Sequence, residues 1–262
     1  MRRCYTRVCN FYYGDESKFL IKKKKTIPLN NNKEISFDAL EIITRKYKRK
    51  IFIKKINSLP KLLRQQVRLD LKKIKSKKKN FSNFNFQKIP NIMGVLNLTP
   101  DSFSDGGKYN SKKKGIDHAL KLYQSGVKII DVGGESTRPG SKEINKDTEW
   151  NRIKRIINFL SKKIPLSLDT RKSEIMEKGI KCGVQLINDV SGLSYDDETL
   201  KILKKYKIPF VIQHSKGTPE NMQNNPNYKN DLLDIYDFFE KKIKLLRSIG
   251  IKHSNIIIDP GI

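Results

Sequence analysis

Six short apolar runs in the second part of this chain each lead into side chains with an amide, carboxylate or imidazole: Asn97, Asp131 with Glu135, Asp169, Asn188 with Asp189, His214 and Asp259. Any one of these has an ordinary explanation, because an Asp or Asn after a strand is most often a turn former or a helix N-cap. Six in succession point to a shared rim. An ionised Asp accepts two N–H bonds at once and an Asn offers a donor beside an acceptor, so the set suits a flat heterocycle with a guanidine-like or amide edge. Such groups are selective, since leaving one unpaired costs more than pairing it gains. Arg138, within Glu135-Ser136-Thr137-Arg138-Pro139-Gly140, is suited to hold a phosphate by a bidentate contact. Neutral Asn97 beside phosphate oxygens would make a seat for Mg2+, which keeps most of its waters and takes few protein ligands. The chemistry implied joins a planar heterocycle to a nucleophile, with a phosphate-type leaving group.

Positioning these groups on one rim requires a regular scaffold. The apolar runs are Ile92–Leu98, Val127–Val132, Pro165–Leu168, Val184–Ile187, Pro209–Ile212 and Asn255–Ile258, and their β-branched content predicts buried parallel strands. Between them lie stripes at helical spacing: Ile116, Leu120, Tyr123 and Val127; Trp150, Ile153, Ile156, Ile157 and Leu160; and Leu232, Ile235, Tyr236, Phe239, Ile243 and Leu246. Gly126, Gly183 and Gly250 stand where helices should stop before the next strand. Strand and helix in alternation mean a parallel α/β fold. An open, doubly wound nucleotide-binding sheet should show a Gly-rich turn after its first strand. The first strand here ends instead in Asn97-Leu98-Thr99-Pro100-Asp101, and no phosphate-binding glycine motif of either common kind occurs. Polar side chains gathered at the C-terminal ends of successive strands favour a (β/α)8 TIM-type barrel, of which about six βα units are present.

Upstream the character differs. Residues 1–90 hold 26 Lys+Arg against 6 Asp+Glu, and residues 91–262 hold 29 against 21, so most of the net charge of +28 sits in the first third. A basic surface attracts polyanions. Abundant Lys, Asn and Ile read more simply as the compositional drift of an AT-rich genome, and nucleic acid is not the expected partner. The expected organisation is a basic N-terminal extension over 1–74, a Lys/Asn/Ser-rich linker over 75–88 and the barrel over 89–262. The extension reads either as a small α+β unit or as a partly ordered arm, with one amphipathic helix starting near Pro60. Cys4, Cys9 and Cys182 are odd in number and lack metal-site spacing, which argues against a disulfide framework or zinc site. Without a signal-like or membrane-length apolar run, the cytoplasm is the expected location and no membrane is involved.

At this point the residues themselves resemble a known family. Met93-Gly94-Val95-Leu96-Asn97-Leu98-Thr99-Pro100-Asp101-Ser102-Phe103-Ser104-Asp105-Gly106-Gly107 is similar to the first signature of dihydropteroate synthases, and Asp131-Val132-Gly133-Gly134-Glu135-Ser136-Thr137-Arg138-Pro139-Gly140 is similar to the second. Four further blocks follow in the family's order: Ser167-Leu168-Asp169-Thr170, Ile187-Asn188-Asp189-Val190-Ser191-Gly192, His214 to Met222, and Asp259-Pro260-Gly261. The resemblance covers roughly residues 90–262. It implies a transferase of folate biosynthesis that condenses 6-hydroxymethyl-7,8-dihydropterin pyrophosphate with p-aminobenzoate, giving 7,8-dihydropteroate and pyrophosphate. By position it implies that Asp169, Asn188 and Asp259 hydrogen-bond the pterin and that Asn97 ligates Mg2+ with the pyrophosphate. Thr137 and Arg138 would sit by the departing pyrophosphate, and Phe103 and Pro139 would help enclose p-aminobenzoate. Asp101 would belong to a loop that closes over the site, so that Asp101, Asp169 and Arg138 form the expected catalytic set. Departure of pyrophosphate ahead of attack would leave a pterin-stabilised cation, which buried carboxylates favour. The resemblance also implies a homodimer for the whole protein.

Two departures accompany the match. Six strands are fewer than eight, and the family's later Lys, Ser, Arg and His are absent from residues 1–262, so the sequence reads as a piece of a longer chain, poorly soluble and inactive alone. The fifth run ends in Gln213-His214-Ser215, where the family commonly flanks its histidine with methionines. His214 therefore reads equally as a core histidine or a pterin contact. A pterin-dependent methyltransferase would share the barrel but has no use for the Asp101-Ser102-Phe103 loop, and a non-catalytic pterin binder would share the rim.

Overall fold

Gly126, Gly183 and Gly250 take φ of +104°, +94° and +95°, a region that side chains disfavour and that ends a helix ahead of the next strand. They punctuate a computed structural model that describes residues 4–77, 81, 91–99, 111–136, 141–215 and 228–261 and divides into two units, Met1–Lys79 and Asn80–Ile262.

The first unit is an antiparallel α+β fold, which decides between the two readings of the basic extension. Its elements are β1 (Tyr5–Tyr13), α1 (Gly14–Lys22), β2 (Ile27–Leu29), β3 (Asn32–Ile43), β4 (Lys48–Phe52), a 3-10 turn (Ile53–Ser58) and α2 (Lys61–Lys75). The long β3 pairs with β1 from Tyr5 opposite Ile43 to Tyr13 opposite Ile35, while β2 and β4 take successive halves of its other edge. Phe37, Leu40, Ile42, Ile51, Ile56, Leu59 and Val67 form its core, with Leu63, Leu71 and Ile74 of α2 packed on it. The helix does begin at the proline, Pro60 standing as its N-cap. It also runs through Lys75, the first residue of the expected linker.

The second unit carries β5 (Met93–Asn97), α3 (Ser111–Gln124), β6 (Ile129–Gly133), α4 (Lys146–Leu160), β7 (Leu166–Asp169), α5 (Ser173–Lys181), β8 (Leu186–Asp189), α6 (Thr199–Tyr206), β9 (Phe210–Gln213), α7 (Asp231–Ser248) and β10 (Ile256–Asp259). All six strands match the predicted runs. The three predicted stripes lie on α3, α4 and α7, except that Val127 falls past the end of α3. The short α5 and α6 complete the alternation. Asn145 caps α4 by accepting from Thr148 N–H at 2.7 Å, and Asn230 caps α7 by accepting from Leu233 N–H at 3.0 Å. The strands are parallel and lie in chain order, β5 to β10, with no reversal. A doubly wound sheet reverses its order at a switch point, whereas a barrel adds strands in one direction. The expectation of a six-unit portion of a TIM-type barrel is met.

One face of this sheet is covered by helices. Leu96, Ile130, Val132, Leu166, Leu168, Ile187, Phe210 and Ile212 are buried there together with Ile153, Ile156, Ile157 and Leu160 of α4. The alternate residues point to the opposite face, as the two-residue strand period demands. Its N-terminal end is apolar, built from Ile129, Leu186 and Val211 with Met93, Ile257 and Phe81 packed on them. Towards the C-terminal ends of the strands the same face becomes polar.

Candidate active site

The polar end of the inner face is organised by register. Asn97 lies beside Gly133, Gly133 beside Asp169, and Asp169 beside Asn188, so one row crosses β5 to β8. One step towards the N-termini, Val95 lies beside Asp131 and Asp131 beside Ser167. Register partners in parallel strands project to the same face. Small residues interleave the polar ones, and this sets which groups can meet. Across Ser167, Asn188 Nδ2 donates to Asp131 Oδ2 at 2.8 Å, although β7 separates their strands. Across Gly133 the same close approach holds, since a Cβ there would stand 3.3 Å from both Asn97 Oδ1 and Asp169 Oδ2.

These groups lie deep. Asp131 is 5% exposed, and the buried atoms Asp131 Oδ1, Ser167 Oγ, Asp169 Oδ1 and Asn188 Oδ1 have no hydrogen-bond partner among the described residues. Buried polar atoms are normally paired, so four unpaired ones side by side form a surface made to hydrogen-bond something else. Burial pushes the Asp131 carboxyl above the usual carboxylate range; the Asn188 amide that donates to it acts to lower it, as does the neighbouring Ser167 hydroxyl, which approaches without hydrogen-bond geometry. Asp169 is held well above that range, first by burial and then by the charges of Asp131, Glu149, Asp189 and Glu135. Two carboxyls whose charged form is disfavoured by burial on one face gain most from a ligand that brings N–H donors and spreads positive charge.

The expected site residues divide into three groups. Asp169 and Asn188 come together on the inner face, and Asn97 closes their row at an exposed position. Asp259 ends β10 beside Gln213, with its Oδ1 accepting from the Gly261 N–H at 2.9 Å, so one of its oxygens serves a turn. Asp101, Phe103, Thr137, Arg138 and Pro139 lie outside the described residues, as does Pro100. Among the other rim residues, Asp189 takes the ordinary turn-forming role: it accepts from Ser191 N–H at 2.8 Å, Ser191 Oγ at 2.6 Å and Leu193 N–H at 2.8 Å. His214 packs edge-on to Phe238 at 5.0 Å between ring centroids, with Phe239 at 6.3 Å and Tyr228 at 5.9 Å. Its imidazole is thus part of the packing between β9 and α7.

Three features go beyond the sequence reading. Ser167 is the small polar bridge of the site; the sequence places it in the Ser167-Leu168-Asp169-Thr170 block, but its bridging role is signalled only by an alternate position two residues before Asp169 in an otherwise apolar strand. Asp131 belongs inside β6 rather than at its end, for the same reason of period. Glu135, expected at the rim, turns away into a buried ion cluster: Arg171 Nε donates to its Oε2 at 3.0 Å, Lys172 Nζ to its Oε1 at 2.9 Å, and Ile144 N–H also to Oε1 at 3.0 Å. Nothing in the linear spacing of residues 135, 149, 171 and 172 announces that cluster.

Comparison with known proteins agrees with this arrangement. Residues 93–262 match the family model described as pterin binding enzyme. Over 181 residues the chain is 38% identical to the dihydropteroate synthase of Synechocystis, covering 68% of this chain and 63% of that protein. The dihydropteroate synthase of Clostridium beijerinckii is 40% identical over 181 residues, covering 68% of this chain and 65% of its own length. Among solved structures, Clostridium difficile dihydropteroate synthase, crystallised in the presence of pteroic acid, superposes with a TM-score of 0.62 at 40% identity, covering 68% of this chain and 66% of that one. The Yersinia pestis enzyme in a sulfonamide complex gives 0.61 at 37% identity, covering 66% and 63%. The chain thus spans somewhat under two thirds of the curated relatives it matches. With its helix-backed parallel strands in barrel order, its polar inner rim and a family match over residues 93–262, this chain belongs to the pterin-binding enzymes.

Proposed function

We propose that the protein is a dihydropteroate synthase, joining 6-hydroxymethyl-7,8-dihydropterin pyrophosphate to p-aminobenzoate with release of pyrophosphate. The observation that carries this reading is the set of four unpartnered buried atoms on Asp131, Ser167, Asp169 and Asn188. A pterin presents a 2-amino group and a ring N–H side by side, the donor edge such acceptors fit. Binding there removes the cost of leaving those atoms unpaired. The same carboxyls stabilise positive charge that develops on the pterin as pyrophosphate leaves. The curated relatives carry this name, and of the solved relatives one was crystallised in the presence of pteroic acid and another as a sulfonamide complex.

Mg2+ fits the donor chemistry. Asn97 is exposed at the rim and supplies a hard, neutral oxygen beside Gly133, suited to a cation that takes most of its ligands from phosphate and water. When bound there, it would neutralise charge on the leaving pyrophosphate. Thr137 and Arg138 are proposed to contact that pyrophosphate, Phe103 and Pro139 to flank p-aminobenzoate, and Asp101 to close over both. Asp259 is proposed as a further pterin acceptor through the oxygen its turn does not use. The three cysteines are unpaired, which suits a reducing compartment such as the cytoplasm. No helix among the described residues is long and apolar enough to cross a membrane. A homodimer, implied by the family resemblance, is checked by light scattering.

The binding half of the proposal is tested by titrating residues 1–262 with pterin. The transfer half is tested by following p-aminobenzoate-dependent release of pyrophosphate from 6-hydroxymethyl-7,8-dihydropterin pyrophosphate. Pterin binding without that release would instead identify a non-catalytic binder.

A further inference from the structure

The three residues that follow Asp169 are tied to two buried glutamates. Thr170 Oγ1 donates to Glu149 Oε1 at 2.5 Å, Lys172 Nζ donates to Glu149 Oε2 at 2.7 Å and to Glu135 Oε1 at 2.9 Å, and Arg171 Nε donates to Glu135 Oε2 at 3.0 Å. Glu149 is fully buried on α4, Lys172 is 2% exposed and Glu135 7%. Two buried carboxylates and two cations make up the cluster, with the more exposed Glu143 3.6 Å from Arg171, and each of these hydrogen bonds is charge-assisted. Burying four charges is expensive, and packed apolar side chains would stabilise the fold as well or better. Stability alone therefore gives little reason for such a cluster directly behind a binding residue.

Geometry offers a reason. Glu135 follows β6, which carries Asp131 and Gly133, and Lys172 follows β7, which carries Ser167 and Asp169. The Thr170 N–H in turn donates to the Asn188 backbone oxygen at 3.1 Å, linking the same segment to β8. We propose that Lys172 is a positioning residue, whose ammonium between Glu135 and Glu149 fixes the exit of β7 and so sets the placement of Asp169 against Asp131 and Asn188. It touches no substrate. Its effect reaches the ligand through Asp169, and the inference rests on the pterin reading of that residue.

The test uses Lys172→Met in residues 1–262, with two readouts. Amide hydrogen exchange reads positioning without any ligand: Thr170 N–H should exchange about tenfold faster, while the amides of Ile130 and Ile187 in the same sheet stay slow. Titration with pterin and with 2,4-dioxopteridine, which lacks the 2-amino group, reads recognition: the preference for pterin should fall about tenfold, and Lys172→Arg should restore it. A generally weakened fold would instead speed all three amides and weaken both ligands alike. Unchanged exchange at Thr170, or acceleration of all three amides together, would overturn the proposal, as would an unchanged preference where the parent chain discriminates. If the parent chain fails to bind pterin while Thr170 still loosens locally, the pterin reading falls and the positioning role stands. Should Lys172→Met not fold, Thr170→Val, which removes one hydroxyl at constant shape, carries the same two expectations at smaller size, and a null result there overturns the proposal equally.

Discussion

Asn188 donates its side-chain amide to Asp131 at 2.8 Å over the top of Ser167, so two strands that are not neighbours share one hydrogen bond on the inner face of the sheet. The residue between them has to be small, and the pair it permits is the floor on which a flat ligand would rest.

Asn188→Leu keeps the branched shape but removes the donor, leaving both Asp131 oxygens buried without a partner from this side chain. We expect a stability loss of about 1–3 kcal/mol, read as a lower midpoint in urea, and loss of pterin binding in the same preparation. A variant that keeps wild-type affinity would show that this floor is not the pterin site.

Gly133→Ala adds a Cβ 3.3 Å from Asn97 Oδ1 and Asp169 Oδ2. The two polar groups can give way by a few tenths of an ångström, so the fold should survive with a stability change below about 1.5 kcal/mol. Alignment at the site should suffer more, with kcat/KM for the proposed condensation falling by about tenfold or more. Equal effects on melting and on turnover would argue that Gly133 serves packing alone.

The raised carboxyls of Asp131 and Asp169 set a pH dependence with a definite sign. In the window above their unfolded pKa values and below their folded ones, the folded protein holds more protons than the unfolded chain. Stability contributed by these two groups is therefore greatest at low pH and falls as pH rises through that window. Asp169→Asn should flatten this slope in thermal melts taken without ligand. Pterin binding should run the other way, strengthening as Asp169 ionises, and the same variant should abolish that rise. Carboxylates held low by cationic partners, such as Glu177 at about 2 beside Lys205, act oppositely and lose their contribution in acid.

Chelation separates the metal from the pterin floor. Treatment with EDTA should stop pyrophosphate release, and added Mg2+ should restore it. Binding of pterin itself, which lacks phosphates, should be unaffected by either step. Asn97→Ala should raise the Mg2+ concentration needed for half-maximal rate. A rate insensitive to EDTA would remove Asn97 from this role.

The period of the apolar residues was enough to place all six strands, the long helices and the stops at Gly126, Gly183 and Gly250, because burial of one face writes itself into spacing at 2.0 or 3.6 residues. Asp169 and Asn188 were legible as rim residues for a similar reason, each being a polar residue at the end of an apolar strand. Asp189 and Glu135 looked alike in the sequence and proved different, one a turn former and the other half of an ion cluster. A side chain's type and position along the strand do not tell which of several acceptors within reach it will take.

What the sequence determined by itself, then, is the alternation of elements, the barrel-like rim and the family the chain belongs to, all of which follow from local patterning and contiguous motifs. Only the tertiary structure decided that Ser167 and Gly133 are the small residues that let Asp131, Asn188, Asn97 and Asp169 converge, and that Glu135, Glu149, Arg171 and Lys172 meet behind them. Those relationships depend on register between strands and on the packing of α4 against the sheet. The hydrogen bond between Asn188 and Asp131 alone spans 57 positions, and no local rule of composition or period encodes a pairing at that separation.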